Sequence, residues 1–207
     1  MRTGTKMKFL SAANLLAFSA IFCTACGGGG VHAQKYENLY PKDISPPSGC
    51  QYPCTLTALP DDLSGIPDTD KEFINHVYSA ILKALQVKMV MLKALNGTSG
   101  FAGAYSVYSM GIAAQRAKIL AEKPPEGLEE FKTKVVGAID NQKLFFEKAQ
   151  KMRQEGKSFQ EVMQLTEGRT ASQMLQAAWN EMTNRYQYWS TEVKDSMYHH
   201  LCALDLF

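Results

Sequence analysis

The sequence predicts an all-α protein, an up-and-down four-helix bundle preceded by an irregular Pro-rich N-terminal arm. Three observations predict it. From Thr69 onward apolar residues recur every three or four positions, the spacing that lines one face of a helix. The periodic stretches are long and joined by short Gly- or Pro-bearing connections, which favours antiparallel neighbours. No run of alternating β-branched residues bounded by hairpin turns is present. With 207 residues, 45% hydrophobic and 20% charged, the chain can bury a sizeable core and is not disordered by composition.

The organisation reads as a cleaved leader over 1–25, a tether and arm over 26–68 and the bundle over 69–207. The arm from Gln34 to Pro67 holds six prolines and the pair Cys50 and Cys54 without a sustained apolar period, so it is irregular. Thr69-Asp70-Lys71-Glu72 matches a capping box, in which Thr69 accepts from the Glu72 amide and Glu72 reaches back. It opens a first helix over 70–96, with Phe73, Val77, Ile81, Leu85, Met91 and Leu95 on one face and Asn96-Gly97 as the stop. After a small-residue loop, Gly97 to Gly103, a second helix carries Tyr105, Tyr108, Ile112, Gln115 and Ile119 and ends before Pro124-Pro125.

The third helix has the clearest pattern. Leu128, Phe131, Val135, Ala138, Gln142, Phe145, Ala149 and Met152 alternate spacings of three and four, a heptad-like seam that Gly156 closes. Ser158-Phe159-Gln160-Glu161 is a second capping box, opening a short piece that Gly168 ends. Thr170-Ala171-Ser172-Gln173 is a third, opening one long final helix through Leu175, Trp179, Met182, Tyr186, Trp189, Val193, Met197, His200 and Leu204.

Ahead of all this, Arg2, Lys6 and Lys8 precede an apolar run from Phe9 to Phe22, the layout of a secretory leader and too short to cross a membrane comfortably. Cys23-Thr24-Ala25-Cys26 then resembles the lipobox of bacterial lipoproteins, with Cys23 standing where that family usually has an aliphatic residue. The resemblance covers the first 30 residues. It implies acylation of Cys26, which becomes the mature N-terminus, with Gly27 to Gly30 starting a flexible tether. It also implies outer-membrane sorting, because Gly27 stands where the inner-membrane retention signal has Asp. Cleavage after Val31-His32-Ala33 is the alternative, giving a soluble periplasmic or secreted product.

Losing the three leader cations lowers Lys plus Arg from 22 to 19 against 20 Asp plus Glu, which argues against a nucleic-acid partner. No zinc-protease, nucleophile-elbow, dinucleotide or phosphate-loop motif occurs, and no C-x-x-C-H for covalent haem. The expectation is a non-catalytic envelope protein without a cofactor, anchored to the membrane and binding another envelope protein; the alternative is a periplasmic bundle that binds a small ligand or metal ion.

Several residues stand out. An even number of antiparallel helices returns the chain to its starting pole, so Cys54 and Cys202 are expected to meet there. Their disulfide would close a loop of roughly 150 residues, contributing about 4 to 5 kcal/mol in the chain-entropy model. The local pair Cys50 and Cys54 is the alternative. The same parity brings His76 to His199 or His200, beside Asp195 or Cys202, as a candidate metal site. Lys88 points from the apolar side of its helix, opposite Ser79, Lys83, Gln86 and Lys93, so it must pair, snorkel to water or line a ligand pocket. Asp140 and Glu181 are candidate partners for it. Gln142, polar on an apolar seam, is a register-setting residue or a second ligand contact. Tyr188, off the final seam, is a candidate for a partner surface.

Overall fold

A computed structural model describes residue 59 and residues 63–205, apart from the side chains of Glu192, Asp195, Ser196 and His199. The leader, most of the arm, Cys26, Cys50 and Cys54 lie outside the described residues. Six helices follow in order: α1 (Asp68–Asn96), α2 (Phe101–Ala121), α3 (Glu129–Gln154), α4 (Phe159–Val162), α5 (Thr166–Arg185) and α6 (Thr191–Leu204), with no strand among the described residues.

Contacts between neighbours fix the directions. His76 and Val87 of α1 meet Glu122 and Gly111, at the end and the middle of α2, so these helices are antiparallel. Tyr108 and Arg116 of α2 meet Phe146 and Asp140 of α3, again antiparallel. Gly137 and Lys148 of α3 meet Met174 and Glu167 of α5 in the same sense. Thus α1, α2, α3 and α5 form the expected up-and-down bundle. Its core is apolar and aromatic, with Tyr108, Phe131, Phe145 and Phe146 fully buried. The α3 seam faces inward as expected, from Phe131 through Val135, Ala138, Gln142 and Phe145 to Ala149.

The predicted final helix is instead two. α5 ends at Arg185, residues 186–190 turn a corner, and the Ser190 side chain accepts the Val193 amide at 3.4 Å to start α6. His200 then stacks on Tyr78, and the carbonyl of Ala203 meets Lys88, so α6 runs parallel to α1. It packs against both α1 and α5 and closes the bundle as an added strut. The corner escaped the sequence pattern because Tyr186, Trp189, Val193 and Met197 are all buried across it. Spacings of three and four therefore continue through a break in the helix.

Two of the three predicted capping boxes do not form. Pro67 is the N-cap of α1, and its carbonyl accepts from the Asp70 and Lys71 amides at 3.0 Å each. Thr69 consequently lies inside the first turn, where its side chain cannot cap. α5 starts at Thr166, so Gly168 lies within the helix and the Thr170 hydroxyl donates to the Thr166 carbonyl at 3.1 Å. The acidic Glu167 in that first turn suits the positive helix end and pairs with Lys148 of α3. The Ser158–Glu161 box does form, with reciprocal bonds of 3.2 and 2.8 Å. α2 begins at Phe101, earlier than the loop to Gly103 allowed, because the left-handed Gly100 (φ 80°) turns the chain directly into a buried phenylalanine.

The arm is tied down where it reaches the bundle. Leu59 is buried, its amide donates to Asn75 Oδ1 at 2.7 Å, and Asn75 Nδ2 returns a bond to the Leu59 carbonyl at 2.9 Å.

Gly127, between α2 and α3, has φ +84°, and a Cβ there would lie 2.2 Å from Arg185 Nη1. Gly156 has φ +83° with nothing within 4 Å. Gly156→Ala should therefore lose only the left-handed backbone cost, about 1–2 kcal/mol. Gly127→Ala should lose clearly more by displacing Arg185, and urea unfolding of both variants reads the difference. The Lys148 ammonium holds the Glu167 carboxyl below its ordinary value of 4.5. A depressed folded value gives stability that is present above about pH 4.5 and lost as pH falls through the folded value. Glu167→Gln should accordingly flatten the acid limb of a stability profile recorded from pH 7 to pH 3.

Candidate functional site

The residues that the sequence marks as ligand contacts converge on the chain itself. Lys88 is 3% exposed, on the inner side of α1, and its Nζ donates to the carbonyls of Ala203 at 2.6 Å, Leu204 at 3.1 Å and Asp205 at 2.5 Å. These carbonyls belong to the last turn of α6 and its C-cap, groups that have no amide partner within a helix. Gln142 Nε2, from the seam of α3, donates to the same Leu204 carbonyl. Ser172 of α5 donates its hydroxyl to Asp205 Oδ1. Three helices thus form a polar cradle, and the end of α6 fills it. Neither Asp140 nor Glu181 is what Lys88 is bonded to here. Asp140 instead receives a two-pronged bond from Arg116, at 2.6 and 2.8 Å.

A second polar junction lies at the opposite end of the bundle. Asp70, 2% exposed in the first turn of α1, accepts from Arg185 Nη2 at 2.9 Å, from Arg185 Nε at 3.3 Å and from the Tyr186 hydroxyl at 2.5 Å. Burial and donation to Asp70 push the Tyr186 phenol up, so it stays a neutral donor. Its ring stacks on Trp189 with centroids 4.3 Å apart. This cluster was legible in principle: Asp70 shares a helical face with Phe73, Ile74 and Val77, the same anomaly that marks Lys88. Its place in a presumed capping box hid it. Ser172 gave no comparable signal.

The structure does not bring His76 and His200 together. His76 is half exposed, with Nδ1 3.2 Å from Glu122 on the α2 side of α1. His200 is fully buried against Tyr78, two positions on and therefore about 200° around α1. No group of three or more His, Cys, Asp or Glu among the described residues is placed to hold a metal ion. The side chains of His199 and Asp195 are outside the description. The geometric premise for Cys54–Cys202 also changes. Half-buried Cys202 is near the end of α6, level with Lys88 rather than at the pole where α1 begins, because the corner after Arg185 sends the chain back up. Cys50 and Cys54 are not described, so neither pairing is placed.

The outside of α2 has a different character. Its buried side carries Tyr108, Ile112, Gln115 and Ile119, while Val107, Met110 and Leu120 are 47%, 67% and 45% exposed. The intervening exposed positions are Ala, Gly or Ser except for Lys118. A groove of about 290 Å³ runs beside it, between Ala113, Ala117 and Leu120 of α2 and Ile139, Asp140 and Lys143 of α3. Tyr188 stands at the α5–α6 corner, 99% exposed.

No family model, curated protein or solved structure matches the chain.

Lys88→Met keeps the apolar stem but removes the ammonium from the Ala203, Leu204 and Asp205 carbonyls, leaving Leu204 the Gln142 amide. It should destabilise the protein by about 3 kcal/mol or more, measured by urea unfolding. Amide exchange in α6 should accelerate most. Gln142→Leu should cost less, and the double variant should be non-additive, because both donors share the Leu204 carbonyl.

Proposed function

We propose that this chain is an exported envelope lipoprotein, anchored through acylated Cys26 in the outer membrane, whose helical bundle binds another protein without catalysing a reaction. One observation carries the binding half of the reading: the polar groups that sequence marked for chemistry, Lys88 and Gln142, are engaged with α6, while α2 presents outward a mostly apolar face on which Lys118 is the one fully exposed charge. Apolar surface of this kind marks protein interaction sites when it is contiguous. Tyr188, an aromatic with almost its whole surface in solvent, is a second contact suited to a protein partner.

The anchoring half rests on the leader. Its charged start, its apolar run and the Cys23-Thr24-Ala25-Cys26 sequence before four glycines fit lipid attachment followed by a flexible spacer. A Gly- and Pro-containing stretch of about 30 residues (26–58), ahead of the Leu59–Asn75 tie, would if fully extended at about 3.3 Å per residue hold the bundle well clear of a headgroup layer.

The intact mass of the chain, extracted from membranes in detergent, tests the anchor. The expected product begins at Cys26 and carries acyl chains; an unmodified product beginning at Gln34 would remove it. Mild crosslinking in intact cells should recover a specific protein partner, and finding none would remove the binding half.

A further inference from the structure

The corner between α5 and α6 is held by contacts rather than by its own sequence. Tyr186-Gln187-Tyr188-Trp189-Ser190 contains neither glycine nor proline, and neither occurs anywhere from Arg169 to Asp205. No described residue other than glycine has a positive φ, so no left-handed turn forces the chain back. The bend depends instead on the Tyr186–Trp189 stack, on the Ser190 cap at 3.4 Å and on α6 lying against α1. The Trp189 indole nitrogen is buried there without an acceptor, a cost that straightening relieves. The seam from Leu175 to Leu204 meanwhile keeps spacings of three and four straight through the corner. The segment therefore fits two backbones, the bent pair of the structure and one continuous helix.

α6 also fills a slot that its departure would leave standing. α1 packs directly on α2, α2 on α3 and α3 on α5, whereas α1 and α5 are joined by α6. The slot presents Tyr78, Leu82 and Leu85 of α1, with the Lys88 ammonium, Gln142 and Ser172 at its far end. It takes a helix with apolar residues at the positions of Val193, Met197, Leu201 and Leu204 and a C-terminal turn of free carbonyls.

We propose that the corner is a hinge, and that the opened chain forms a swapped dimer in which α6 of each copy fills the α1–α5 slot of the other. Three features select a second copy. Its α6 carries the sequence that the slot already fits, so the apolar contacts and the bonds from Lys88, Gln142 and Ser172 are all remade between copies. Straightening continues α5 past the pole where α1 begins and carries α6 about 20 Å beyond it, clear of its own slot. The directions agree as well. α5 runs toward that pole and α6 returns from it, so two copies placed pole to pole about a two-fold axis each deliver α6 into the other's slot in its native sense. The outward side of α2 takes no part in this pairing.

The test uses the full exported chain in detergent, unfolded and refolded at high concentration. Sedimentation should then give a species of twice the chain mass beside the single chain. Gln187→Pro forbids a continuous helix yet suits the bend, where Tyr186 already lies outside the helical region (φ −117°, ψ 63°). It should leave the single chain folded and remove the dimer. Ser190→Ala removes the α6 cap and adds a strong helix former, so it should strengthen association roughly 10-fold. The contact itself is read at Trp179 and Tyr198, whose ring centroids lie 5.3 Å apart; along one straight helix the two positions would be about 28 Å apart. A photoreactive aromatic at position 198, in a refolded mixture of isotopically heavy and light chains, should join heavy to light at Trp179 within the dimer, and it needs no variant of the hinge. A single chain throughout, for the unaltered protein and Ser190→Ala alike, would overturn the inference. So would a dimer whose crosslinks from 198 to 179 stay within one chain.

Discussion

The structure depends on a buried lysine ammonium that finishes a helix it does not belong to. The last carbonyls of α6 form the negative end of that helix and have no amide partners within it. Burying them without donors would be costly, and so would burying the Lys88 ammonium without acceptors. Each removes the other's penalty, and the result holds α6 between α1 and α5. Those two helices are not broad neighbours; α6 joins them. A cation offers three donors without demanding a particular side chain at 203, 204 or 205, since only backbone atoms accept. Gln142 adds a fixed direction from α3, and Ser172 holds the C-cap carboxylate from α5.

The opposite junction does complementary work. Asp70, Arg185 and Tyr186 anchor the end of α5 to the start of α1, at the point where the chain reverses. The Tyr186–Trp189 stack then fills the inside of the corner. α6 is pinned at one end by this corner and at the other by Lys88. Between them Val193, Met197 and Leu201 supply apolar burial, which sets the strength of the contact, while the polar ends set its register. Gly127 belongs to the same arrangement, because only a residue without a Cβ leaves room for Arg185.

What was legible in the sequence follows from which signals are local. The α3 seam was readable because every one of its apolar positions faces the same packed interior. Lys88 was readable as an anomaly, but its acceptors are backbone carbonyls more than a hundred residues away, and any residue at 203–205 supplies those. The apolar spacing across Tyr186 and Trp189 reported burial faithfully and continuity of the helix falsely, since a corner with stacked rings buries the same positions. Thr69 and Thr170 matched a four-residue capping pattern, but the helices started earlier, at Pro67 and Leu165, and left those threonines inside. The Gly and Ala content of α2 predicted close approach, and Val87 against Gly111 is such a contact. The inward side of α2 was legible too, since Tyr108, Ile112, Gln115 and Ile119 are buried as their spacing predicts, whereas nothing in the spacing marked Val107 and Met110 as exposed.

The Lys88 contact also governs the timing of folding. Lys88 and Ala203 are separated by 115 positions. In a chain delivered from its N-terminus, the carbonyls that receive this ammonium are among the last groups to arrive. Helix pairs built from local contacts form within milliseconds, so α1, α2 and α3 are available to assemble first, with the lysine still hydrated. The interior turns from wet to dry in one late step, when the final segment arrives. A bundle without its final segment would have an open, polar-lined seam where α6 lies, so residues near the end of the chain complete an interior begun more than a hundred positions earlier.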